Sequence, residues 1–121
     1  MGIASKYNKG GVSFTAKPAE GTGYCKLRDI AASQGYTPES VYKIGALYLN
    51  DKGKFGIEAV AYITEPYVAL VNLPAHMVDT ISDMRKDAEA VKAINEGKLG
   101  FTVYEYTGNN GTGYSINFVD L

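Results

Sequence analysis

A small all-β barrel carrying one helix is the fold class this sequence predicts, and three observations predict it. Residues 99–121 hold two runs rich in aromatic and β-branched residues, 101–106 and 114–119, on either side of the turn cluster 108–113. That is the make-up of a hairpin with a half-buried, pleated surface. Directly before it, Met77, Ile81, Met84, Ala88, Val91 and Ile94 recur at helical spacing and form one apolar stripe. Ahead of the stripe lie further short strand-like runs separated by Gly- and Pro-bearing turns.

Residues 1–23 are rich in Gly, Ser and Lys, with one β-like island at Val12-Ser13-Phe14-Thr15. They read as a flexible N-terminal segment ahead of a single domain over 24–121. Residues 24–31 (YCKLRDIA) alternate with period two: Cys25, Leu27 and Asp29 point one way, Lys26, Arg28 and Ile30 the other. A strand with one basic face is expected there. A Gly/Pro loop over 32–40 leads to a longer strand at 41–50, in which Gly45 marks a bulge or a sharp coil of the sheet. Asp51-Lys52-Gly53-Lys54 is a hairpin turn, and 55–63 returns as the third strand. The apolar run Tyr67-Val68-Ala69-Leu70-Val71 suits burial or a subunit contact.

The helix is expected over 74–96, with Pro74 in its first turn and Gly97 closing its far end. Asp87 is suited to cap a second segment, so two helices with a kink are the alternative. Strands at 99–106 and 114–120 follow, joined by a mobile loop longer than a two-residue turn. Three strands, a helix and a closing hairpin is the order of an OB-fold, a five-stranded Greek-key barrel with its helix between the third and fourth strands. A small α+β sheet with the helix across one face is the alternative.

Composition narrows the function classes. A chain of 121 residues suits one core. No apolar run approaches a membrane span, and the first residues contain no apolar signal region, so a cytoplasmic protein without membrane association is expected. The single cysteine, Cys25, permits neither an internal disulfide nor a cysteine-based zinc cage. With His76 as its one available partner, Cys25 reads as a strand thiol rather than a nucleophile. No Walker-type loop, no GxGxxG opening a helix and no metal-ligand spacing occurs; Asp79, Asp83 and Asp87 share a helix face that reads as solvated. No enzyme, cofactor or metal is expected.

The formal net charge of −1 is unevenly spread. Residues 1–60 hold eight Lys and Arg against five acids, whereas 61–121 hold four against eight. A basic face on a near-neutral body points weakly to a polyanion, and equally to a helix with an acidic solvated side. Aromatic residues interleave with the bases: Tyr24, Lys26 and Arg28 on the first strand, Tyr42, Lys43 and Tyr48 on the second, and Lys52, Lys54 and Phe55 about the following turn. Tyr36 lies in the loop after the first strand. Bases stack on aromatic faces while Lys and Arg hold phosphates, so these ten residues are the candidate nucleic-acid contacts. At least half of the ten tyrosines are expected to be structural.

The segments GALYLNDKGKFG (45–56), VNLPAHMV (71–78), VKAINEGKLGFTVYEY (91–106) and GYSINFVD (113–120) together resemble the small single-stranded DNA-binding proteins carried by phages of lactic-acid bacteria and streptococci. The resemblance implies an OB-fold assembling as a dimer or larger homo-oligomer inside the host cell. It implies a protein that coats replication and recombination intermediates and hands the strand to phage recombination proteins. Bacterial housekeeping proteins of this function end in a flexible acidic tail. This chain reads FVDL at that point, so recruitment through such a tail is not expected. The alternative reading is a phage structural or protein-interaction module with no affinity for nucleic acid.

Overall fold

The computed structural model describes residues 14–51, 56–109 and 111–121. Among these residues six strands form one sheet: β1 (Tyr24–Lys26), β2 (Tyr42–Asp51), β3 (Ile57–Glu65), β4 (Ala69–Asn72), β5 (Leu99–Gly108) and β6 (Gly111–Asp120). Helix α1 (Leu27–Ala32) follows β1, and a 3-10 turn (Ala75–Met77), α2 (Val78–Lys86) and α3 (Ala88–Asn95) lie between β4 and β5. The sheet order is β1-β4-β3-β2-β5-β6, curled into a half-barrel. β1 runs parallel to β4, and every other pairing is antiparallel.

The strand expected over 24–31 is a strand for three residues only. From Leu27 the chain is helical, because the Lys26 amide donates to the Asp29 carboxylate (3.0 Å) and so caps the turn. Leu27 and Ile30, which strict alternation would send to opposite faces, are both buried in the core. Their spacing of three is a helical spacing, and tertiary burial decides between the two periods. α1 packs against β6, so it bridges the two edges of the open sheet.

Gly45 behaves as expected. The β2–β3 register skips it, and the bulge re-phases the strand so that Tyr42 and Ile44, then Leu47 and Leu49, face the core. On the other edge of β2, Tyr42 and Lys43 pair with Phe101 and Gly100 of β5. A Cβ on Gly100 would lie 2.7 Å from the Tyr42 carbonyl oxygen, so this crossing requires glycine. The hairpin expected to have a long mobile loop is tight. Pairing runs from Leu99↔Asp120 to Gly108↔Gly111, which leaves two residues, 109 and 110, as the connection. Gly111 there has φ +100, open to glycine without strain.

The core lies between the inner face of the sheet and the helices. It joins Ile44, Leu47, Ile63, Val71, Phe101 and Val103 to Leu27, Ile30, Met77, Ile81 and Ile94. The helical stretch breaks where Asp87 allows. Its backbone is extended, and its carboxylate accepts from the amides of Glu89 (2.9 Å) and Ala90 (3.4 Å). Asp87→Ala leaves those donors to water, and a loss of about 1 kcal/mol is expected. Urea unfolding measures it, and an unchanged midpoint would contradict the capping role.

The N-terminal segment enters the described residues at Phe14. There Phe14 and Ala16 pack against the sheet, and the Thr15 amide donates to Asn95 Oδ1 (3.0 Å).

Candidate nucleic-acid interface

Directly paired residues of neighbouring strands project to the same side of a sheet. Two rows therefore cross the outer face of β2, β3, β4 and β1. One is Tyr48, Val60, Asn72 and Lys26; the next is Ala46, Tyr62, Leu70 and Tyr24. The intervening row, Leu47, Ala61, Val71 and Cys25, faces the core. A parallel pairing of β1 with β4 brings Tyr24 and Lys26 onto the same surface as Tyr48, although 24 positions separate Tyr24 and Tyr48 in the chain.

Tyr24 is 60% exposed, and Tyr48 is half-buried against Ala46, Val60, Tyr62 and Leu70. Burial, with the neighbouring Tyr62, pushes the Tyr48 hydroxyl above its ordinary range, and the Arg85 charge works the opposite way. Tyr24, Tyr48, Asn50, Val60 and Leu70, with Pro18 of the N-terminal segment, line a hollow of about 290 Å³. Beside it, a cleft of about 540 Å³ opens between the starts of β3 and β6 and the end of β4. Lys26 and Arg28 line it together with Ile57, Glu58, Asn72 and Tyr114. Asn72 Oδ1 is buried there without a hydrogen-bond partner, an acceptor open to an N–H donor.

The remaining candidates go elsewhere. Tyr42 is core: it is 3% exposed, and its ring stacks on Phe101 with centroids 5.6 Å apart. Burial pushes its hydroxyl up, as it does that of Tyr36. Tyr36 packs against the core and donates to the Val103 carbonyl (2.9 Å), tying the 33–41 connection to β5. Tyr36 and Tyr42 are therefore structural rather than stacking platforms. Lys43 pairs with Glu65 (3.8 Å) at the opposite end of β2, away from the cleft. Lys52, Lys54 and Phe55 lie outside the described residues. Cys25 is half-buried, and burial followed by the Asp29 charge raises its thiol, the reverse of nucleophile activation.

Several residues outside the candidate set of the sequence belong to this surface as well. Tyr62, Asn72 and Arg85 join the outer face or its border through strand register and helix packing. Arg85 Nε is buried with no hydrogen-bond partner. A second aromatic group lies on β5, where exposed Tyr104 and Tyr106 have ring centroids 6.3 Å apart. His76 stands edge-on to Tyr106 at 6.4 Å and shares a 3.0 Å hydrogen bond with buried Ser115. Tyr106 lies over Gly113, where a Cβ would meet its ring at 2.7 Å. Gly113 also belongs to the cleft wall, so the cluster adjoins the cleft. Alternating tyrosines in TVYEYT were the available signal for this group.

Among the described residues, no group of three or more His, Cys, Asp or Glu gathers to hold a metal. Among the described residues, too, no helix is long and apolar enough to cross a membrane. Comparison with family models, curated proteins and solved structures finds no match to this chain.

Proposed function

We propose that this protein binds single-stranded DNA without sequence preference, stacking bases on outer-face tyrosines while Lys26 and Arg28 hold phosphates. The observation that carries the reading is the register Tyr48-Val60-Asn72-Lys26 beside Ala46-Tyr62-Leu70-Tyr24, with the basic cleft at its end. Aromatic faces next to cations in a groove are what a single strand needs, because every base has a π-face and every nucleotide a charge.

The element order supports it in a shifted form. Counted from β2, the chain runs through three strands, the helices and a closing hairpin, which is the OB order displaced by one strand. β1 and α1 are then an addition along the β4 edge. In an OB-type barrel the ligand lies across the second and third strands, between the first and last hairpin turns. In this numbering the two strands are β3 and β4, which carry Val60, Tyr62, Leu70 and Asn72 of the same face. The resemblance to phage single-stranded DNA-binding proteins adds the setting: a homo-oligomer acting in phage replication and recombination in the host cytoplasm, with recombination proteins as partners. On this reading the protein binds and does not catalyse.

A second reading, a protein-interaction module, draws on Tyr67 and Val68. They are 42% and 53% exposed beside Tyr24 at the outer edge of the sheet. Fluorescence anisotropy of a labelled oligo-dT of about 30 nucleotides, titrated at two salt concentrations with the duplex as control, separates the two. Binding to the single strand alone is expected, with log K falling against log salt by about 0.7 per phosphate neutralised. No binding at low salt would reject the proposal in favour of the module.

A further inference from the structure

We infer that residues 14–18 form a displaceable strap over the stacking face, which has to leave before a base can occupy it. The inference rests on the binding function proposed above and concerns how that same face is regulated.

Phe14 and Ala16 pack against Ala46, Val60, Tyr62 and Leu70, the cluster that Tyr48 also borders, and Phe14 reaches the main core as well. Pro18 forms a wall of the hollow between Tyr24 and Tyr48. The strap thus lays an aromatic ring and a proline against the aromatic surface on which a base would stack. Among the described residues no strand pairing joins it to the sheet, and the Thr15 amide and hydroxyl donate to Oδ1 of the half-buried Asn95 at 3.0 and 3.4 Å. A planar, apolar segment held mainly by packing is exchangeable for another planar group that packs equally well. The strand's measured affinity is then its affinity for the open face scaled by the fraction of molecules whose strap is off.

A reversible lock tests this. A Cβ built on Gly45 lies 3.2 Å from Ala16 Cβ and 3.2 Å from the Tyr62 ring, so a few tenths of an ångström of movement brings the pair to the roughly 3.5–4.5 Å Cβ separation of a disulfide. The variant A16C/G45C is made with Cys25→Ala to avoid mispairing. Thr64→Ser is added because the Thr64 methyl would otherwise sit 2.9 Å from the new Cβ. Oligo-dT binding is measured by anisotropy on the same preparation, oxidised and then reduced. The oxidised form is expected to bind at least about tenfold more weakly than the reduced form. Equal binding by the two forms overturns the strap while leaving the binding function standing. Absence of binding by the native chain as well as by both forms overturns both.

Phe14→Ala gives an independent reading that needs no disulfide. Loosening the strap raises the open fraction, so affinity is expected to rise several-fold. A fall in affinity would overturn the inference, because Phe14 would then be part of the platform rather than its cover.

Discussion

Phe101→Ala is expected to destabilise the protein by about 3–5 kcal/mol, the cost of deleting a fully buried ring from a core that collapses only partly around the gap. Phe101 is 0% exposed, lies on β5 opposite Tyr42, and stacks on that ring with an interplanar angle of 29°. It stands at the short pairing, Tyr42 with Phe101 and Lys43 with Gly100, that joins β2 to β5. Gly100 next to it has no room for a Cβ, so the backbone there cannot shift to refill the space. Against a total stability of roughly 5–15 kcal/mol, such a loss leaves a marginal fold. Urea unfolding of the variant measures it; a shift below about 1 kcal/mol would show that the crossing is not a stability centre.

Replacing both Lys26 and Arg28 by Ala should weaken oligo-dT binding about 25-fold at 0.1 M salt and flatten the slope of log K against log salt by about 1.4. The two figures are linked, because each cation neutralising one phosphate contributes about 0.7 to the slope for a single strand. Both side chains line the cleft from exposed positions, and neither is in the core. The Lys26 amide that caps α1 belongs to the backbone and survives the change. Thermal unfolding should therefore be nearly unaltered. A weakened affinity with an unchanged salt slope would show that these residues act through something other than phosphate contact.

Most long elements were legible in the sequence because one local period fitted each. The strands at 42–51, 57–65 and 99–108 and the helical stretch broken at Asp87 lie within a few residues of their expected places. Gly45 was legible as a bulge because glycine inside a strand has few other uses. Residues 24–31 failed for a specific reason: in eight residues, Leu27 and Ile30 fit a helical step as well as a strand interrupted by Asp29. The turn at 108–113 failed because its glycines and asparagines permit a long loop and a tight two-residue turn alike. Pairing of Gly108 with Gly111 is a cross-strand fact.

For the candidate site, the residue types were legible and their company was not. Tyr24, Lys26, Tyr48 and Arg28 gather at one face and cleft, whereas Tyr36 and Tyr42 are absorbed by the core. Tyrosine serves both environments, with an apolar ring and a polar tip, so composition alone does not sort them. The sequence by itself determined a β-rich chain with one broken helical stretch, a re-phased second strand and an interleaving of tyrosines with cations. Only the tertiary structure decided that β1 pairs parallel to β4, that Phe14 packs against both Ala46, Val60, Tyr62 and Leu70 and the main core, and which tyrosines look outward. Those outcomes are set by register between distant strands, where a shift of one residue sends every side chain to the opposite face.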